Sequence, residues 1–184
     1  MNKVTDKEEL LMVLDDDGNP TGKLEKRSIV HDKELLHNEI ALWIIDPETN
    51  QVLLQRRSPN KRIDPNKLGI CAGHVVENES IEQTLKTEAK EEIGIDINDF
   101  DVKKFLVMKR IAPNNHHITH YFYIKKYIPI ENFKIQEEEL SEVIYFDYEK
   151  LKGMAKSDEN ESVFKFEDSK KMFEALDKII YNKI

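Results

Sequence analysis

The chain of 184 residues is poor in several things at once. It has one cysteine, Cys71, one tryptophan and 8% aromatic residues, and no apolar run approaches the roughly 18 residues that a membrane-spanning helix needs. A lone cysteine rules out an internal disulfide and suits a reducing compartment. The start, MNKVTDKEELLMVLDDDGN, is too acidic for a secretory leader. Six glycines and six prolines form no Gly/Ser- or Pro-rich linker, and no repeat or low-complexity tract divides the chain. Excess positive charge is also missing. Twenty-eight Lys and Arg stand against 36 Asp and Glu, a net charge of −8, and such a surface repels nucleic acid and anionic membrane. Apolar residues make up 39% of the chain and charges of both signs are mixed, which excludes intrinsic disorder. The expectation is a soluble, cytoplasmic protein forming a single domain over residues 1–184, with a small-molecule partner and no nucleic-acid polymer or membrane partner.

Short β-branched runs alternate with turn signals. Strands are expected at Leu10–Leu14, Ile40–Ile45, Val52–Gln55, Leu68–Ala72, Val102–Ile111, Ile118–Tyr127 and Val143–Phe146. The second and third of these read as a hairpin. Asp17-Gly18-Asn19-Pro20 is a turn, and Ser58–Pro65 a basic loop. Ser80 and Gln83 have the spacing of a capping box, with Gly94 as the glycine just past the helix end. Met172, Phe173, Leu176, Ile179 and Ile180 recur at helical spacing, so Glu167–Tyr181 reads as an amphipathic closing helix. The pattern is that of an α/β (α+β) sandwich.

The helix that starts at Ser80 carries a conflict. At about 100° per residue, Ile81, Leu85 and Ala89 form one stripe for the core. Glu92 falls within that stripe and Glu88 at its edge, with Glu91 one helical step from Glu88. Like charges at this spacing repel, and a bare buried carboxylate costs several kcal/mol. A cation resolves the conflict, and oxygen-only ligands select a hard divalent ion, Mg²⁺ or Mn²⁺. A solvated acidic face is the alternative reading of the same residues.

Read together with Gly73-His74-Val75-Val76-Glu77-Asn78-Glu79, the stretch Thr87-Glu88-Ala89-Lys90-Glu91-Glu92-Ile93-Gly94-Ile95 resembles the Nudix box of the MutT-like Nudix family. That box reads G, five residues, E, seven residues, then R-E-U-x-E-E-x-G-U, where U is bulky and apolar. Gly73, Glu79, Glu88, Glu91, Glu92, Gly94 and Ile95 fall on it in register. Ala89 is small for its slot, and Thr87 replaces the arginine. Further stretches, Asp16-Asp17-Gly18, Arg27, His31, His37, Leu53–Ser58 and Ala72-Gly73-His74, resemble the branch close to isopentenyl-diphosphate isomerase.

The resemblance implies a Nudix-type α/β/α sandwich with a mixed central sheet and the Nudix helix. The box would span residues 73–95, with an N-terminal extension over about 1–36 and a C-terminal helical tail over about 147–184. It also implies hydrolysis of a diphosphate linkage with Mg²⁺ (or Mn²⁺), in a nucleoside diphosphate-type or other organic pyrophosphate. Glu88, Glu91 and Glu92 would hold the metal, helped by the carbonyl of Ala72. Gly73, Glu79 and Gly94 would be structural members of the box. In the family Glu79 pairs with the box arginine; Thr87 is too short for that, so Lys86 or Lys90 would be its partner. Glu139, in the run Glu137-Glu138-Glu139 before a late strand, is the candidate general base. Arg57 and Lys61, in the densest basic patch, would take the substrate's diphosphate; Lys109 and Arg110 are a weaker second patch. Dimers are common in the family, so the closing helix would either seal the monomer or form a homodimer interface.

An isomerase-like enzyme and a catalytically weak Nudix-like binding protein are the alternatives. The isomerase resemblance requires a cysteine directly before Gly-His, where this chain has Ala72. Cys71 lies one residue earlier and, in a strand, on the opposite face. His31 and His37 resemble a metal-binding pair of the isomerase, but five residues separate them, and a structural, hydrogen-bonded role is the expectation for both. His116 and His120 should share one strand face, with His117 on the other. Trp43 reads as core.

Overall fold

The computed structural model describes residues 9–113, 115–157 and 161–181. The acidic start, residues 1–8, and the last three residues of the expected tail, 182–184, lie outside the described residues. Strand β1 (Leu10–Leu14) pairs antiparallel with β2 (Pro20–Lys26) in a small separate sheet, and the short helix α1 (Arg27–Asp32) follows. A seven-stranded mixed sheet contains β3 (His37–Ile45), β4 (Gln51–Arg57), β5 (Leu68–Gly69), β6 (Cys71–His74), β7 (Val102–Ala112), β8 (Asn115–Lys125) and β9 (Leu140–Asp147). Helix α2 (Ile81–Glu92) lies between β6 and β7, and α3 (Tyr148–Lys156) and α4 (Phe166–Tyr181) close the described chain.

β3 is the hub of the sheet. It runs parallel to β8 along its whole length, from His37 opposite His117 to Ile45 opposite Lys125. Its other edge is shared, because Glu39–Leu42 pair with β6 and Ile45 pairs with Val52 of β4. Alternation along β3 feeds two cores. Ile40, Leu42 and Ile44 pack with Leu85, Ala89 and Ile93 of α2 on one face. Ala41, Trp43 and Ile45 pack with Tyr148, Leu151, Met172, Phe173 and Leu176 of α3 and α4 on the other. Helices therefore cover both faces, and the architecture is an α/β/α sandwich with a mixed sheet. Trp43 is fully buried and stacks on Phe164 at 5.4 Å between ring centroids.

Two local readings change. The expected strand Leu68–Ala72 is two strands, broken at Ile70, because Leu68 and Gly69 pair with β4 whereas Cys71–His74 pair with β3. Changing partner strand within five residues requires the break. The elements β2 and α1 add to those expected, and the region expected as a helical tail contains two helices, α3 and α4.

Candidate active site

The end of α2 is set by local chemistry. Ser80 Oγ accepts from the Gln83 N–H at 3.2 Å, and Gln83 Oε1 accepts from the Ser80 N–H at 2.7 Å, so the capping box is closed. The C-terminal end stops at Gly94, with φ +75°. A Cβ there would lie 2.8 Å from the Lys134 carbonyl oxygen, so glycine is required twice over. Between these ends, Leu85 and Ala89 anchor the helix on the sheet. That anchoring turns Glu88, Glu91 and Glu92 toward β6.

One cleft gathers these three carboxylates with Ala72 of β6, Arg57 at the end of β4, Lys61 in the loop after it, and Glu139 just before β9. Gly73 makes the close approach feasible, since a Cβ on it would overlap the Glu88 carboxylate. Burial raises the Glu88 carboxyl to about 9, reinforced by the charges of Glu92, Glu9 and Glu91. Burial likewise lifts Glu92 to about 7, although Gln55 donates to it at 2.9 Å. Two neighbouring carboxylates that resist ionisation, lined up on oxygen donors only, form a fitting cradle for a hard divalent cation. Glu139 forms an ion pair with Lys61, and Arg57 donates to the Ile63 carbonyl at 3.0 and 3.2 Å, bracing the basic loop.

Several candidates sit differently from expectation. Glu79 does not turn to Lys86 or Lys90. It accepts from Thr84 Oγ1 at 2.7 Å and from Thr87 Oγ1 at 3.3 Å, so the residue in the arginine slot still bonds to Glu79, through a hydroxyl. Cys71 does face away from Ala72, but that direction is toward α2, where its buried thiol lies beside Glu92. Lys109 donates to the Asp16 carbonyl and Arg110 pairs with Asp168 at 2.9 Å, which keeps the second basic patch out of the cleft. Tyr121, Phe122 and Tyr123 are absorbed by the two cores.

The histidines come together more closely than their spacing in the chain suggests. His31 of α1, His37 of β3 and His74 of β6 bring one ring nitrogen each to within 4.8 Å of one another. Strand register does this: His37 lies opposite His117, and Glu39 opposite His74. His31 Nε2 meets His74 Nε2 at 3.1 Å, and His37 Nε2 is buried with no hydrogen-bond partner while its Nδ1 contacts the Leu35 carbonyl oxygen at 3.0 Å. Glu39 stands among them, 3.4 Å from His74, 3.5 Å from His117 and 3.7 Å from His37. Burial lowers His31 to about 4 and His74 to about 3, so both rings are neutral at pH 7. Burial would raise the Glu39 carboxyl, yet His37, His117 and His74 pull it well below the usual carboxylate range. Neutral imidazoles around a buried anion are a nitrogen-rich donor set suited to zinc or a similar borderline ion. Helical spacing was the wrong test for this set. Period-two placement of His37 and Glu39 at the start of a strand, with Gly-His after another, is the signal that was available.

The fold and the cleft together define a class, an α/β/α sandwich whose capped helix carries an acidic, cation-suited face. The NUDIX domain profile matches residues 35–166, and the chain belongs to the Nudix family. It is 30% identical over 155 residues to Nudix hydrolase 3 of Arabidopsis thaliana, covering 79% of this chain and 20% of that protein. It is 33% identical over 96 residues to an isopentenyl-diphosphate Delta-isomerase of Mycolicibacterium vanbaalenii, covering 52% of each. The chain thus spans a fifth of the first relative and about half of the second. A crystal structure of a Deinococcus radiodurans protein has the same fold, with a TM-score of 0.67 at 17% identity over 79% of this chain and 87% of that one. Among the described residues, no helix is long and apolar enough to cross a membrane.

Proposed function

We propose that the chain is a divalent-metal-dependent hydrolase that cleaves a diphosphate linkage in an organic pyrophosphate. The observation that carries this reading is the convergence of Glu88, Glu91 and Glu92 in one cleft with Arg57 and Lys61. Glu88, Glu91 and Glu92, with the Ala72 carbonyl, are the residues that would hold Mg²⁺ or Mn²⁺. Bound there, the cation would screen the phosphate oxygens and lower the pKa of a coordinated water. Arg57 and Lys61 bind and orient the diphosphate from the opposite rim, replacing the water that solvates it. Glu139 exchanges its Lys61 partner for the attacking water and accepts the water's proton. Glu79, tied to Thr84 and Thr87, keeps the N-terminal half of α2 in register with the loop after β6.

His31, His37 and His74, with Glu39 beside them, would hold a second, borderline cation at the end of the same cleft. This cluster and the match to an isomerase favour isomerisation of isopentenyl diphosphate as a second reading. Ala72, which has no proton to transfer, weighs against it.

The test is product release with Mg²⁺ or Mn²⁺ from nucleoside triphosphates, nucleoside diphosphate sugars, dinucleotides and isopentenyl diphosphate, with Glu92→Gln as control. Phosphate or pyrophosphate release is expected, and the control should lower kcat by about three orders of magnitude, ~4 kcal/mol. Formation of dimethylallyl diphosphate without phosphate release would overturn the hydrolase in favour of the isomerase.

A further inference from the structure

On β4 the core alternation runs Val52 toward α3 and α4, Leu53 toward α2, Leu54 toward α3 and α4. The next residue on the α2 side should be apolar, and it is Gln55, only 5% exposed. Its backbone is held on both sides, opposite Gly69 of β5 and Val143 of β9, so the side chain leaves from the most firmly paired part of the sheet. Burying an amide without partners costs one to several kcal/mol, roughly. Gln55 Nε2 spends its proton on Glu92 Oε2 at 2.9 Å. The buried thiol of Cys71 lies beside the same carboxylate, in the neighbouring part of the α2-facing core. Two polar side chains in an apolar layer thus converge on one carboxylate of the three.

We infer that Gln55 and Cys71 are positioning residues for Glu92. They would fix the plane of its carboxylate so that the oxygen lone pairs left free point into the cleft toward the cation. This inference rests on the reading of Glu92 as a metal ligand. An unbraced carboxylate near the end of a helix samples several rotamers, and each one that points elsewhere lowers the affinity for the ion. Nothing covalent changes in this role. Gln55 acts through Glu92 and touches neither substrate nor the reacting atoms.

The experiment titrates Mn²⁺ into the full chain, following free Mn²⁺ by electron paramagnetic resonance, in wild type, Glu92→Gln, Gln55→Met, Cys71→Ala and Cys71→Ser. Methionine keeps the length of glutamine without its donor. Gln55→Met is expected to raise the Mn²⁺ Kd about tenfold or more. Its melting temperature without metal should stay close to that of wild type, and kcat should recover at saturating Mn²⁺ with KM unchanged. Cys71→Ala should follow in the same direction by roughly threefold, and Cys71→Ser, which keeps a donor, should stay within about twofold of wild type. If Gln55→Met does not fold, the alanine and serine pair at position 71 decides. Mn²⁺ affinity unchanged in Gln55→Met and Cys71→Ala, but lowered in Glu92→Gln, overturns the positioning role alone. Affinity unchanged in Glu92→Gln as well overturns the ligand reading beneath it.

Discussion

Two clusters of titratable side chains meet at one cleft, which the carboxylates line and the histidines reach through His74 and Glu39, and they are assembled by opposite means. Glu88, Glu91 and Glu92 come from five consecutive residues of one helix, and their convergence is a matter of helical period. His31, His37 and His74 come from a short helix and two strands, and only the pairing of β3 with β6 and β8 brings them and Glu39 together. One cluster is all oxygen, with protons held on Glu88 and Glu92 by burial and nearby charge; the other is mostly nitrogen, with protons driven off His31 and His74 by burial. A short segment can therefore gather oxygen donors by itself, whereas gathering the nitrogen donors requires the pairing of distant segments.

The sharpest way to break this comparison is to remove the nitrogen donors. His37→Ala with His74→Ala should weaken Zn²⁺ binding by about a thousandfold, ~4 kcal/mol. Mn²⁺ binding at the carboxylates should change less than about threefold. Competitive titration with a chromophoric chelator measures both, and a parallel loss of the two ions would merge the clusters into one centre.

A smaller effect separates the clusters by the sign of their pH dependence in metal-free protein. Glu88 and Glu92 have folded pKa values of about 9 and about 7, above the ordinary glutamate value of 4.5. The folded state then binds more protons than the unfolded state, so stability falls as pH rises from about 4.5 to 9. His31 and His74 have folded values of about 4 and about 3, below 6.5, so their contribution is lost as pH falls below 6.5. Above pH 7 the histidines are silent and only the carboxylate limb remains. The melting temperature is expected to drop by roughly 5 °C between pH 7 and 9. Glu88→Gln should flatten that limb, and a slope that persists in the variant would remove Glu88 as its cause.

The finest test concerns the helix alone. Thr87→Arg restores the box residue, but it gives up the 3.3 Å bond from Thr87 to Glu79 while Thr84 keeps its own. Activity is expected to change by less than about tenfold and stability by less than about 1 kcal/mol. A gain of a hundredfold in kcat would mean that the hydroxyl arrangement limits this site.

The same contrast explains what could be read from the chain beforehand. Helix α2, its capping box, its glycine stop and the acidic face were legible because each depends on neighbours a few residues away. So were most strands of the central sheet and the closing helix α4, through period two and period 3.6. Strand β2 was not, because Pro-Thr-Gly-Lys-Leu-Glu-Lys lies in a two-stranded sheet, is exposed over most of its length and shows no alternation. Helix α3, which buries Tyr148, Leu151 and Ala155 at helical spacing, lies within the helical tail expected from the family resemblance, but its separation from α4 was not legible. In the cleft, the convergence of Gln55 and Cys71 on Glu92 depends on which strands are adjacent, and so does the contact between Lys61 and Glu139. Pairing of that kind is decided by sheet order, which no local period records.

The parallel pairing of β3 with β8 joins segments about eighty residues apart in the chain, from His37 opposite His117 to Ile45 opposite Lys125. Such a contact closes a long loop before any hydrogen bond rewards it, and it belongs to the slow part of folding. During synthesis, the first four strands of the central sheet and α2 leave the ribosome before the neighbour that completes β3 exists. Until β8 arrives, one edge of β3 is open and the chain is a candidate for mispairing with other nascent chains. The capped helix, by contrast, can form on its own residues. The order of birth along the chain would thus leave β3 without its parallel neighbour until residue 125 has been made, and the sheet without β9 until residue 147.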